Sequence, residues 1–206
     1  MSKKETIFTP KTIKRFQWLN WPLFRTIAQL TVHDKNIKLR PEQLNENTNY
    51  VIVSNHQGTM DPFIVCYNFS RKLDKTLVPV HFFTANRFML KPVITQWLAL
   101  MGSFPAKRHD KYPYGLIMAE HLVGNGQTVM IFPEGKVSQI EKEHTPKHGV
   151  EVLARMPNVK LIPSHVKWDR NKGFFKAYSL AIGKPFDGSN MSAEQIMDKV
   201  YSLKFK

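Results

Sequence analysis

The chain has 206 residues, 42% of them apolar and 22% charged, a balance that suits one folded domain and excludes wholesale disorder. Its formal net charge of +14 favours an anionic partner: nucleic acid, the negative face of a membrane, or a phosphorylated substrate. A single cysteine, Cys66, excludes an internal disulfide, and charges interrupt every apolar stretch before it reaches the roughly 20 residues needed to span a bilayer.

The first residues, "MSKKETIFTPKTIKRF", are basic and lack the uninterrupted apolar run of a secretory signal. From Thr12 to Val32, Ile13, Phe16, Leu23, Ile27 and Leu30 fall at helical spacing, and Pro22 predicts a division into two short helices. Lys11, Lys14 and Arg15 accompany Trp18 and Trp21, a mixture suited to the boundary between lipid headgroups and acyl chains. Residues 1–35 are therefore read as amphipathic, membrane-associating helices and 36–206 as the domain proper. A helix packed on its own domain accounts for the same apolar stripe. The chain is expected on the cytoplasmic face of a membrane, peripheral to it, with no signal peptide and no transmembrane span.

Beyond Pro41 strand and helix patterns alternate. "YVIVS" reads as a buried strand, with a helix capped by Asp61 and opened by Pro62. "VHFFT" is a strand, "FMLKPVITQWLALM" a helix, and a helix after Pro113 stops at "GNG" before the strand "TVMIF". "GVEVLARM" is helical, "KLIPSHVKW" and "AYSLAIG" are strand-like, and a short helix follows "DGSNMS". The alternation predicts an α/β domain: a central mixed, mostly parallel sheet with helices on both faces, preceded by the amphipathic segment.

Chemistry concentrates at predicted strand ends. In "SNHQGTMDPF" a loop after a strand can fold back so that the Asp61 carboxylate meets one ring nitrogen of His56, leaving the other to accept a hydroxyl proton. That is the base and orienter of a triad whose nucleophile is the substrate's own hydroxyl. Taken singly, Asp61 reads as a helix cap and His56 as an ordinary histidine. In "VMIFPEGKVS", Pro133 ends strand pairing and Gly135 permits torsions or a close approach that a side chain would block. Read alone, Glu134 is a solvated turn residue. In "GSFPAKRHDKY", Lys107 and Arg108 are placed to hold a phosphate or carboxylate.

Together these stretches resemble the glycerolipid acyltransferase family, the lysophosphatidic acid and glycerophosphate acyltransferase group. His56 and Asp61 match its H-x4-D motif, with Asn55 beside them; "GSFPAKR" is similar to its second block, "FPEG" at Phe132 to Gly135 to its third, and "LIPSHVKW", with Pro163, to its fourth. "PKHG", with Lys147 and Gly149, and "IGKPF" also fit, so the resemblance runs from about Asn36 to Phe186. It implies acyl transfer from an acyl-CoA or acyl carrier protein thioester to a lysophospholipid hydroxyl, most naturally 1-acyl-glycerol 3-phosphate giving phosphatidic acid. His56 would deprotonate the acceptor, and Asp61 would orient it. Asn55 and the turn Phe132, Pro133, Glu134, Gly135 and Lys136 would bind substrate, and Lys107 and Arg108 its phosphate. No bound cofactor is implied. Where the family continues with Thr-Arg-Ser, this chain has Lys136, Val137 and Ser138, which looks like tafazzin-like members that exchange acyl chains between phospholipids without coenzyme A.

Other classes have less behind them. The basic residues are scattered, without a zinc-ligand, RNP or helix-turn-helix pattern, so nucleic acid is not expected as a partner. No G-x-S-x-G elbow marks a hydrolase. His144 and His148 have helical spacing, but Pro146 lies between them and no acidic partner accompanies them, so no metal is expected.

Overall fold

A computed structural model describes residues 8–85, 92–106, 114–138, 140, 144–169, 171–173 and 177–205. The chain runs α1 (Pro10–Thr31), β1 (Val32–Ile37), β2 (Asn49–Ser54), α2 (Asp61–Cys66), α3 (Arg71–Leu77), β3 (Val80–Thr84), α4 (Pro92–Leu100) and β4 (Ser103–Pro105). It continues through α5 (Tyr114–Gly124), β5 (Thr128–Ile131), α6 (Gly149–Ala154), β6 (Val159–Trp168), β7 (Tyr178–Ile182) and α7 (Ala193–Tyr201).

The strands form one seven-stranded sheet in the order β1-β7-β6-β2-β5-β3-β4. Every pairing is parallel except the antiparallel β6–β7 pair. The sheet is buried on both faces, which is why β2, β5 and β7 read as continuous apolar runs and not as alternations. Tyr50 and Ile52 of β2 face a core shared with α1, α2 and α3, while Val51 and Val53 face one shared with α5, α6 and α7. Ile52, Val53 and Ile162 are fully buried, each removal from water contributing about 2 kcal/mol. Ile52→Ala would leave a cavity in the central strand and cost about 2–5 kcal/mol.

Three expectations change. The segment predicted to break at Pro22 is a single helix, α1, with Pro22 inside it. An interior proline costs a helix about 3 kcal/mol, and here tertiary packing offsets it. Ile13, Gln17, Ala28 and Thr31 are buried against the domain, with Phe16, Trp21 and Phe24 packed on the core. Gln17 acts as a polar pin: its Nε2 donates to the carbonyls of Val80 (2.9 Å) and Met101 (2.8 Å), and its Oε1 accepts from Val80 N (3.2 Å). Gly102, at φ +89, lets the backbone pass against Val80 O and the Gln17 amide. Secondly, the boundary expected after residue 35 falls inside β1, which pairs with β7 from Val32 onward. Thirdly, Asp61 is not the cap of α2; Met60 holds that position and Asp61 is the first helical residue. Its carboxylate turns back into the preceding loop, whose free amides and ring nitrogen outcompete the helix amides for it.

Among the described residues no helix is long and apolar enough to cross a membrane.

Candidate active site

The parallel strands β2, β5, β3 and β4 release their loops at one edge of the sheet, where open α/β sheets bind ligands. The loop after β2 carries His56. Its Nδ1 donates to Asp61 Oδ2 at 2.9 Å, and the same oxygen accepts from Gln57 N (2.6 Å) and Gly58 N (2.8 Å). Burial pushes the Asp61 carboxyl above the usual range, and the His56 ring and the two amides pull the other way. With Nδ1 engaged, the tautomer is fixed and Nε2 is left as the basic nitrogen. The imidazole stacks on Phe132, ring centroids 4.2 Å apart.

The main chain of His56 is clamped from the loop after β5. Its N–H donates to Glu134 Oε2 (3.0 Å) and its carbonyl accepts from Ser138 N (2.8 Å). Asn55, just past the end of β2, extends the β2–β6 ladder by one side-chain step: its Nδ2 donates to Val166 O (2.7 Å) and its Oδ1 accepts from Val166 N (2.8 Å). Gln57 Oε1 accepts from Trp168 N at 3.3 Å. Asn55 and Glu134, expected to bind substrate, thus face inward as supports of the histidine. Glu134, also read as a solvated turn residue, is 5% exposed because both carboxylate oxygens have protein donors, Tyr201 OH being the second. Burial raises its carboxyl above the usual range, against the opposing hydrogen bonds from Tyr201 and His56.

In front of His56 lies a cavity of about 1300 Å³. Phe63, Phe82, Phe83, Ile94 and Leu98 from α2, β3 and α4 give it apolar walls; Phe132, Pro133, Gly135 and Lys136 line it from the loop after β5. Lys147 also lines it, and sequence reading gave that residue no role. Its N–H donates to Pro133 O (2.9 Å), and its side chain lies across Gly135, which has φ +67 and no Cβ to obstruct it. Lys147 was visible only as a motif letter; its approach to Gly135 depends on the return of the chain. Ala106, which precedes Lys107, lines the cavity as well. Lys107 and Arg108 themselves lie outside the described residues. No group of three or more metal-ligating side chains is found among the described residues.

The N-terminal expectations divide. Lys11, Lys14 and Arg15 are exposed. Trp18 and Trp21 turn partly into the fold, lining a small cavity beneath α1, with Arg25 over the Trp21 ring at 4.7 Å. The exposed large apolar residues of α1 are Leu19 (82% exposed), Leu23 (60%) and Leu30 (51%), on the side away from the buried stripe. Val93 (78%), Ile94 (42%) and Trp97 (40%) expose further apolar surface on α4, which packs beside α1.

A histidine oriented by a buried carboxylate, at the strand ends of an open α/β sheet and before a large, mainly apolar cavity, is an arrangement that can offer a general base to a substrate with an apolar portion. Residues 35–167 match the Acyltransferase family, and the chain belongs to that family. Among solved structures the fold is similar to that of PlsC from Thermotoga maritima, described as a 1-acyl-sn-glycerophosphate (LPA) acyltransferase. The match has a TM-score of 0.59 and 18% identity over 93% of this chain and 75% of that one. No curated protein sequence matches the chain.

Proposed function

We propose that the protein transfers a fatty acyl group from an acyl-CoA or acyl carrier protein thioester to the free hydroxyl of a lysophospholipid, with 1-acyl-glycerol 3-phosphate as the favoured acceptor. The observation that carries this reading is the His56–Asp61 pair, 2.9 Å apart, facing the 1300 Å³ cavity. His56 Nε2 takes the proton as the acceptor oxygen bonds to the thioester carbonyl carbon. The tetrahedral intermediate then collapses, the C–S bond breaks, and the imidazolium returns the proton to the departing thiolate. Asp61 stabilises the imidazolium between the two steps.

The phenylalanines of α2 and β3 suit an acyl chain, and Lys136 and Lys147 beside Gly135 suit a phosphate. Lys107 and Arg108, whose chain leaves β4 through Ala106 at the cavity wall, are candidates for the same phosphate. Lysines offer point charges without the arginine fork, so a phosphomonoester is bound with limited discrimination against diesters. The protein meets its lipid at an anionic bilayer surface: Leu19, Leu23, Val93 and Trp97 enter the interface, with Lys11, Lys14 and Arg15 beside the headgroups. Ile94 belongs both to this exposed face and to the cavity lining, which gives the acyl chain a short route between them.

The test is to incubate purified protein with a panel of lysolipids and acyl donors and identify products by mass spectrometry. Phosphatidic acid formed only with a thioester supports the proposal. Equal transfer from a phospholipid with no thioester present replaces it with transacylation, the reading that the Lys136–Val137 departure favours.

A further inference from the structure

Tyr201 ends α7, outside the residues 35–167 that match the family, yet its hydroxyl donates to Glu134 Oε1 while Glu134 Oε2 accepts from His56 N at 3.0 Å. From this chain of contacts we infer that Tyr201 is a positioning residue for the reaction: its hydroxyl holds the buried Glu134 carboxyl in place, and Glu134 in turn fixes the backbone of His56.

The placement of Tyr201 is itself over-determined. Helix α7 begins with a capping box, Ser192 Oγ accepting from Gln195 N and Gln195 Oε1 from Ser192 N, and Glu151 Oε1 accepts from Ala193 N at 2.9 Å. Ile196, Met197 and Val200 bury the helix on the sheet. The Tyr201 ring stands edge-on to His165, centroids 5.7 Å apart and planes at 90°. His165 Nδ1 donates to Leu203 O at 3.1 Å, tying down the chain beyond the helix. The hydroxyl therefore arrives at Glu134 on a rigid support.

Chemistry gives that hydroxyl its task. A buried carboxylate holds its charge only while donors compensate for lost water. Burial already raises the Glu134 carboxyl, and the Tyr201 hydrogen bond is the foremost influence lowering it, ahead of the His56 N–H. Among the described residues, the other titratable groups that act on Glu134 are His56 and His144, and the Lys147 side chain covers the next residue, Gly135. Without the hydroxyl, Glu134 takes a proton at higher pH, and the His56 N–H loses its ionic acceptor. The imidazole, stacked on Phe132 and bound to Asp61, then drifts with its main chain.

The kinetic part of the inference rests on the acyl-transfer reading; the positional part does not, and the experiment separates them. Wild type, Tyr201→Phe, Glu134→Gln and the double variant are compared in kcat–pH profiles with a dispersed lysophosphatidate and acyl-CoA, and in amide hydrogen exchange at His56. Tyr201→Phe retains the ring on His165. It should lower kcat by about ten- to a hundredfold with little change in KM, move the acid limb of the profile to higher pH, and speed exchange at His56 while leaving β6 and α7 unchanged. In the Glu134→Gln background the same change should move no limb. An unmoved acid limb, an equal loss in both backgrounds, or unaltered His56 exchange overturns the inference. If the wild type transfers no acyl group from any donor, the functional proposal fails, and His56 exchange alone decides whether Tyr201 positions it.

Discussion

At the carboxyl ends of β2 and β5 the fold buries charge, whereas along α1 and α4 it leaves large apolar side chains in water. Asp61 and Glu134 are 0% and 5% exposed, and Leu19 and Val93 are 82% and 78% exposed. Each region inverts the ordinary distribution of residues, and an inversion is more informative than its reverse. The inversions differ in kind. In the corner, Asp61 Oδ2, both oxygens of Glu134 and the Asn55 amide have named donors and acceptors, so the geometry is held from several sides and suited to proton transfer. On the outer face the apolar residues have no such partners and suit a soft, laterally mobile surface. Helix α1 belongs to both worlds: Gln17 pins its inner side to β3 while Leu19 and Leu23 point outward.

The largest effect should follow from breaking the corner. His56→Ala removes the proposed general base, and turnover should fall by about 10² to 10⁴, with thermal stability and vesicle binding retained. A variant with near wild-type turnover would disprove the mechanism.

Gln17→Ala tests the inner side of α1. It strands the Val80 N–H and the Val80 and Met101 carbonyls, and unsatisfied buried groups cost about 1–3 kcal/mol each. A clear drop in thermal midpoint is expected; an unchanged midpoint would mean that α1 is a detachable anchor. For the same reason a deletion of residues 1–32 should compromise folding as well as lipid binding.

Leu19→Asp with Leu23→Asp tests the outer side. Sedimentation with anionic vesicles should fall by about tenfold or more while the thermal midpoint stays within a degree or two of wild type. Undiminished vesicle binding would remove this face from the proposal. Between these two tests falls Lys147→Ala, expected to raise KM for lysophosphatidate by about tenfold, as loss of one charged contact to phosphate, without lowering kcat.

How far these regions were legible in the sequence follows from the range of the interactions that build them. The strands "YVIVS", "TVMIF" and "AYSLAIG" announce themselves because burial on both faces demands continuous apolar runs. His56 and Asp61 sit in one short loop, so their meeting could be foreseen. The inward turn of Glu134 could not, because its donors come from residues 78 and 67 positions away. Asn55 likewise reads as a ligand group until Val166, 111 residues on, is seen to hold it. Pro22 misled for the complementary reason: a local helix breaker was overruled by packing and by the Gln17 pin. Strand β1, "VHDKNI", has one buried residue and no alternation, so an edge strand paired only to β7 left little pattern to read.

The smallest predicted effect concerns what the corner does to stability. Glu134 has an ordinary carboxyl pKa of 4.5 when solvated, and the fold raises it, burial outweighing the Tyr201 and His56 hydrogen bonds. Below 4.5 the group is protonated in both folded and unfolded chains and is neutral in its effect. As pH rises through the window between the unfolded and the raised folded value, the unfolded chain gives up its proton first, and stability declines by at most about 1.4 kcal/mol per pH unit. Above the folded value the loss is complete and constant. Glu134→Gln removes the titration, so the variant's thermal midpoint should gain on the wild type as pH is raised from about 4.5 toward neutrality, even as its turnover falls. The comparison is one of slopes, which cancels the fixed difference between an amide and a carboxylate. A difference that stays flat, or that grows in favour of the wild type, would mean that the two donors outweigh burial and that the corner stabilises the fold it was expected to strain.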